Sequence, residues 1–110
     1  MYKVRGTIWI EGPGGTFLGV GRMELLQKIA ETGSISEAAR KIKMSYRQAW
    51  ELVDAMNRES KKPLVLTTSG GVGGGGTYVT DEGKRAIRTF KRLHTKFFKF
   101  TKKETFKLDI

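Results

Sequence analysis

The polar residues in "MSYRQAWELVDAMN", residues 44–57, are of the types that recognise base edges in DNA. Arg47 can donate two hydrogen bonds to guanine, Gln48 can pair with adenine, and Glu51 can accept from cytosine. Ser45 and Tyr46 carry hydroxyl groups that can donate to a phosphate or to a base edge. Side by side on one exposed helix start, these five residues form a candidate surface for a nucleic-acid groove.

The sequence predicts two helix starts in this region. The first lies before the residues named above, and the second includes them. Ser34 is followed three residues later by Glu37, and Ser45 is followed three residues later by Gln48. At this spacing the hydroxyl accepts from one backbone N–H, while the oxygen of the acid or amide side chain accepts in return from the backbone N–H of the serine. The alternative interpretation is that Ser45 and Gln48 are only a capping pair, with Arg47 solvated.

The apolar residues between the two starts follow the helix-turn-helix pattern around a small crossing residue, Ala39. The pattern asks for apolar residues one before it and three, five, ten and thirteen after it. Those positions hold Ala38, Ile42, Met44, Ala49 and Leu52. Lys43 departs from it, because glycine is frequent at this turn and a left-handed backbone costs another residue about 1 kcal/mol or more. Ser34, Ser36 and Arg40, from the first of the two helices, join the predicted contacts.

Periodicity predicts the elements that position this surface. A hairpin begins with alternating Val4, Gly6, Ile8 and Ile10, turns at 11–15 and returns through 16–20. A first helix is predicted from Arg22 to Thr32, because Met23, Leu26, Ile29 and Ala30 recur there at helical spacing. Two further helices are predicted from about Ile35 to Ile42 and from about Tyr46 to Glu59. The last of these is predicted to bury Ala49, Leu52, Val53 and Met56, and its Trp50 is predicted to pack within the domain.

The second half predicts a winged architecture. Strands at 64–68 and 77–79 flank the glycine-rich stretch "SGGVGGGG", whose N–H groups could approach a sugar-phosphate backbone closely; a flexible hairpin tip is the other interpretation. A long helix of about five turns follows Thr80, with Ala86, Ile87, Phe90, Leu93, Phe97 and Phe100 at helical spacing. The predicted fold class is therefore α+β, a winged helix-turn-helix with an N-terminal β-hairpin, a three-helix core, a Gly-rich β-wing and a long C-terminal helix.

Length and composition bound the possibilities. A chain of 110 residues has room for one hydrophobic core, so residues 1–110 are expected to form one domain. Cysteine is absent, and no apolar run approaches the roughly 20 residues that span a bilayer. We expect a soluble, cytoplasmic protein without a membrane partner.

The net charge of +10 indicates a polyanionic partner. Residues 84–110 carry 10 basic and 2 acidic side chains, so the last helix and the tail, at about 81–110, hold most of the excess. A solvated helix face is the alternative explanation for this charge.

Catalytic and cofactor patterns have little support. Gly71, Gly73 and Gly76 fit G-x-G-x-x-G, but they lie between two predicted strands and not between a strand and a helix. Lys84 follows Gly83 without the other residues of a phosphate-binding loop. His94 is the single histidine and stands near an apolar helix stripe, where a packed or interfacial role is favoured. We expect no enzyme activity, no cofactor and no metal.

The stretches "GSISEAARKIKMSYRQAWELVDAMN" and "SGGVGGGGTYVTDEGKR" resemble the N-terminal winged helix-turn-helix domain of ModE-type molybdate-responsive transcriptional regulators, itself similar to the LysR-type domain. The resemblance covers nearly the whole chain. It implies a dimeric, sequence-specific transcription factor that binds double-stranded DNA through Tyr46, Arg47 and Gln48. It also implies a wing at residues 69–76, whose predicted contacts are Gly70, Gly71, Gly73 and Gly74.

Two departures from the family pattern matter. Val72, Leu66 and Thr67 stand where the family tends to have a lysine, an acid and an arginine, which removes charged wing contacts. In the family, the oxyanion-binding module is a separate domain that follows the DNA-binding domain. Because the resemblance is to the DNA-binding domain, we expect no small-molecule ligand domain in this chain. The large apolar residues Phe90, Leu93, Phe97 and Phe100 of the last helix either close the domain's own core or meet a second subunit, and we predict that they form a homodimer interface.

Two other functions stay open from the sequence. One is a non-specific or architectural nucleic-acid-binding protein whose affinity comes from the basic C-terminal helix. The other is a protein-interaction module or membrane-surface helix built on residues 84–110.

Overall fold

A computed structural model describes residues 1–68 and 76–110 of the chain. The order is hairpin, three helices, hairpin and helix, which confirms the predicted α+β winged arrangement. The described elements are β1 (Ile10–Gly12), β2 (Gly15–Leu18), α1 (Val20–Thr32), α2 (Ile35–Lys41), α3 (Tyr46–Glu59), β3 (Val65–Thr67), β4 (Thr77–Val79) and α4 (Asp81–Lys107).

The helix-turn-helix forms as the sequence predicts. Lys43 adopts φ +57°, the left-handed conformation expected at the turn. The Met44 amide donates to the Ala39 carbonyl at 2.9 Å, which closes the turn between α2 and α3. Ala38, Ala39 and Ala49 are buried between the helices, and their small side chains let α2 and α3 approach closely.

Only half of each predicted capping pair forms. The hydroxyl oxygens of Ser34 and Ser45 accept from the backbone amides of Glu37 and Gln48, at 3.1 and 3.0 Å. The return bond at the first cap is replaced: the Ser34 amide donates to Thr32 Oγ1 at 3.3 Å, and the Glu37 carboxylate pairs with Arg40. Each helix start is therefore fixed by its serine.

One hydrophobic core joins the elements. Its largest fully buried side chains are Phe90, Leu18, Leu25, Leu26, Ile29 and Met56. Phe90 is 0% exposed, so its prediction as a dimer contact is wrong: the ring fills the chain's own core. Helix α1 begins at Val20, two residues before the predicted start, and Ala30 is exposed although the periodicity placed it inside.

The N-terminal hairpin is shorter than predicted. β1 has three residues, and the pairing with β2 ends at Ile10 opposite Leu18. Residues 1–9 form no strand within the described part of the chain, because β2 gives way to Gly19 and then to α1 before it can extend alongside them. These residues instead pass over α4, where the Val4 amide donates to Thr105 Oγ1 at 2.8 Å.

The base of the wing is tied to both neighbouring helices. Asn57 of α3 donates to the Val65 carbonyl at 2.9 Å, and its Oδ1 accepts from the Leu64 amide at 2.8 Å. The Thr80 hydroxyl, which caps α4 by accepting from the Gly83 amide at 3.1 Å, donates to the Pro63 carbonyl at 2.7 Å. The wing strands, α3 and the start of α4 are therefore held as one unit.

Helix α4 has 27 residues, or about 40 Å at 1.5 Å per residue, and exceeds the predicted five turns. The molecule measures 64 × 28 × 21 Å, because the second half of α4 projects from the helical core. Across residues 1–68 and 76–110, no helix combines the length and apolar character needed to cross a membrane.

Candidate nucleic-acid interface

The first turn of α3 presents the predicted recognition residues outward. Ser45, Tyr46, Arg47 and Gln48 are all exposed, and the Arg47 side chain is 88% accessible. The opposite edge of the helix buries Ala49, Val53 and Met56. A helix that is anchored along one edge and polar along the other has the shape and chemistry to enter a major groove.

Two ion pairs order the guanidinium groups of this surface. Arg47 Nε lies 3.2 Å from Glu51 Oε1, one turn further along α3. On α2, Arg40 pairs with Glu37. Both pairs are exposed, so water screens them and their contribution to folding stability is small. Their effect is on orientation, because each carboxylate limits where its arginine can point.

A polar recess of about 370 Å³ lies between α2, α3 and the base of the wing. The hydroxyls of Ser34 and Ser36 stand 3.0 Å apart on its α2 side. Tyr46 and Trp50 line the α3 side, and Thr67 and Thr68 line the wing side. The recess brings together α2, α3 and the base of the wing, whose proximity the sequence did not predict. It gathers the hydroxyl groups of these elements on one face.

The structure overturns the prediction for Trp50, whose side chain is 49% exposed and does not pack inside the domain. Trp50 stands four residues after Tyr46 and therefore shares its helix face. Since Tyr46 was predicted to be exposed, this spacing was the signal that could have placed Trp50 outside as well. The sequence also did not predict that Thr67 and Thr68 line this recess, because their position there depends on how the wing folds against α2 and α3.

The described part of the wing is fixed at its base. Thr68 and Gly76 exchange hydrogen bonds, with the Thr68 amide donating to the Gly76 carbonyl at 2.8 Å. The Thr77 amide donates to the carbonyl of Gly33 at 3.0 Å, which ties β4 to the end of α1. The predicted contacts at Gly70, Gly71, Gly73 and Gly74 lie outside the described residues.

Residues 20–84 match the family model for the bacterial regulatory helix-turn-helix protein, lysR family. The chain belongs to this LysR helix-turn-helix family. The matched range runs from the start of α1 through the beginning of α4, and includes the whole candidate surface.

Comparison with curated proteins also supports the resemblance to ModE-type regulators. The chain is 40% identical over 83 residues to the molybdenum transport protein ModE of Azotobacter vinelandii, across 76% of this chain and 31% of that protein. It is 42% identical over 72 residues to the DNA-binding transcriptional dual regulator ModE of Escherichia coli K12, across 66% of this chain and 28% of that protein. The chain spans about a third of the length of the curated relatives it matches.

A third relative has a different name. The molybdenum-pterin-binding protein MopB of Rhodobacter capsulatus is 42% identical over 76 residues, across 69% of this chain and 28% of that protein. The matched region is again the size of the LysR-family domain described above.

The second half of α4 extends beyond the matched LysR-family region. Phe90 is buried, Leu93 and Phe97 are half-buried, and Phe100 is 56% exposed. Phe98, which the sequence analysis did not single out, is 59% exposed. The His94 ring lies between those of Phe90 and Phe98, with centroid distances of 5.8 and 4.6 Å. The histidine therefore stacks on Phe90 and meets Phe98 edge to face.

Proposed function

We propose that this chain is the DNA-binding domain of a sequence-specific transcriptional regulator and that α3 enters the major groove of double-stranded DNA. The observation that carries the proposal is the exposed set Tyr46, Arg47 and Gln48 on the first turn of a helix whose other edge is locked into the core. The N-terminal residues of a recognition helix are those that reach base edges.

The relatives' names support the same function. Several of them are named transcriptional regulators, and one is named DNA-binding. Regulators of this kind act by binding, so we propose no catalytic activity for the chain. Its predicted DNA contacts are the polar residues of α2 and α3, together with the newly located Trp50. They are Ser34, Ser36, Arg40, Ser45, Tyr46, Arg47, Gln48, Trp50 and Glu51.

A homodimer is part of the proposal. Phe100 is exposed on the projecting half of α4, on the face that it shares with Leu93 and Phe97, where a second subunit would remove it from water. Dimers of helix-turn-helix proteins contact two half-sites about 34 Å apart on one face of the duplex. A palindromic binding site is the expected consequence.

The test is selection of bound sequences from a random duplex pool, with the full chain and with Arg47→Ala. We expect a palindromic site for the native chain, and a preference relaxed at one base pair per half-site for the variant, by about 1–3 kcal/mol. Arg85→Ala is the matched control, because it removes an exposed guanidinium near the start of α4. Its selected site should equal that of the native chain.

Attraction by the basic helix alone is the competing function. It predicts salt-sensitive binding with no preferred site, and loss of most affinity when Lys99, Lys102 and Lys103 are changed to glutamine. The proposed function predicts that this triple variant keeps the site preference while its affinity falls for all duplexes alike. A competition assay against random duplex separates the two outcomes.

A further inference from the structure

Residues 3–9 have the side-chain pattern of a β-strand but pair with no other strand among the residues that the structure describes. Val4 and Ile8 are half-buried, whereas the residues between and around them are exposed. Val4, Gly6 and Ile8 face α4 and the core, and a Cβ atom on Gly6 would lie 2.8 Å from Phe97 Cζ. The exposed residues on the opposite face are Lys3, Arg5, Thr7, Trp9 and, continuing into β1, Glu11.

The backbone of this segment is almost unpaired. Among residues 1–68 and 76–110, the Val4 amide is the single backbone group of residues 3–9 for which a hydrogen bond is formed, to Thr105. Backbone N–H groups along an extended chain alternate between its two edges. If the Val4 amide faces α4, those of Arg5, Thr7 and Trp9 lie on the other edge, which is a template for another strand.

We propose that residues 3–11 of a second copy pair antiparallel with this segment, about a two-fold axis at Thr7. In this register Lys3 lies opposite Glu11, Arg5 lies opposite Trp9, and Thr7 meets its own copy. An opposite-charge pair, a cation over an aromatic ring and a threonine pair are all favourable across a strand pair. On the other face Val4 lies opposite Ile10, and Gly6 opposite Ile8.

Charge favours this partner and register over the alternatives. A parallel pairing in register would put Lys3 beside Lys3 and Arg5 beside Arg5. A dimer made by α4 alone would bring together two segments that each hold 10 basic and 2 acidic residues. The strand pairing instead brings the dimer together through a segment whose charges complement their own copies.

This inference specifies the homodimer of the proposed function and does not depend on DNA binding. The chain contains no cysteine, so single cysteines can be placed without background. We would prepare full chains with Thr7→Cys, Arg5→Cys or Trp9→Cys and treat them with a short bis-maleimide. Thr16→Cys, on the exposed face of β2, is the control for random collision.

The expected result is dimer formation by Thr7→Cys at least tenfold above the Thr16→Cys control. An equimolar mixture of Arg5→Cys and Trp9→Cys chains should crosslink more than either chain alone, because these positions face each other only in the antiparallel register. Efficient crosslinking of Phe100→Cys without any for Thr7→Cys would overturn the proposal in favour of a helix-only dimer. Equal, background levels for all positions would overturn it as well.

A backbone test uses Thr7→Pro, which removes the amide from the pairing edge, against Thr7→Ala, which keeps it. Sedimentation equilibrium should show a dimer Kd at least tenfold weaker for Thr7→Pro and within twofold of native for Thr7→Ala. Equal Kd values for the two variants would contradict strand pairing. If Thr7→Pro fails to fold by circular dichroism, the crosslinking result decides. A chain that crosslinks at Thr7 but selects no DNA site would refute the proposed function and leave this inference standing.

Discussion

Arg47 Nε lies 3.2 Å from Glu51 Oε1, so a proposed guanine-reading side chain is held by an acid one turn away on the same helix. The bond uses Nε and leaves the two terminal nitrogen atoms of the guanidinium available. A carboxylate in this position restricts Arg47 before DNA arrives, and ordering a long side chain in advance lowers the cost of binding.

We predict that Glu51→Gln separates affinity from specificity. Removing a negative charge beside a polyanion should raise affinity for random duplex several-fold at low salt, while the preference at the Arg47 base pair falls because the guanidinium is no longer held. Binding isotherms with the selected site and with random duplex measure both effects. Asp54→Asn is the matched control, since Asp54 makes the same kind of pair with Arg58 one turn further along. A specificity ratio that falls equally in both variants would contradict this role for Glu51.

The Asn57 side chain is predicted to be the strongest single polar contribution to the wing base. It donates to Val65 and accepts from Leu64, two buried residues whose backbone groups have little access to water. Asn57→Ala should lower the free energy of unfolding by about 1–3 kcal/mol, because buried backbone groups lose their partners. Urea denaturation provides the measurement. Ser60→Ala, which removes one bond to the Asn57 carbonyl at the helix end, should cost less.

We predict that position 83 requires glycine although it lies in a helix, because there is no room for a larger side chain. A Cβ atom there would overlap the Leu64 carbonyl oxygen and lie 2.5 Å from Val79 Cγ1. Gly83→Ala should therefore destabilise the fold by about 1–3 kcal/mol, despite the better helix propensity of alanine. Gly21→Ala, in α1 with nothing within 4 Å of the added atom, should instead be neutral or stabilising by about 0.5 kcal/mol. Thermal unfolding of the two variants should shift in opposite directions, or at least differ by several degrees.

The turn before α3 carries a lysine where glycine is easier to accommodate. Lys43 is exposed and has φ +57°, so Lys43→Gly should stabilise the chain by about 0.5–1 kcal/mol by removing backbone strain. Lys41→Gly removes the same charge two residues earlier, in the last turn of α2, and should destabilise by about 1 kcal/mol. The two variants can be compared with the native chain by their midpoints of chemical denaturation. Destabilisation by both changes would show that no strain is stored at Lys43.

The helix-turn-helix could be predicted from the sequence because its signals are local. Apolar residues at fixed offsets from Ala39 define the crossing, and Ser34 and Ser45 define the helix starts. The exposure of Arg47 and Gln48 followed from the same helical period. These features need no knowledge of distant parts of the chain.

Features that depend on distant contacts were predicted less well. Phe90 was assigned to a subunit interface because periodicity shows that a residue is apolar on one face but does not identify what covers it. Residues 4–9 alternate as a strand, yet no second strand lies beside them within residues 1–68 and 76–110. Asn57 gave no signal, because its partners at 64 and 65 come together with it only when the wing folds against α3.

Helix α4 is anchored through its first half and extends past the core with its second half. Its first turn is held by Thr80 and Gly83 against residues 63–64, Phe90 is buried in the core, and the N-terminal segment contacts its far half through Thr105. Residues 91–107 span about 25 Å, so a 5° tilt of this half moves its far end by roughly 2 Å. A tilt of this half is therefore resisted both by the buried Phe90 ring and by the wing base, where α4 begins.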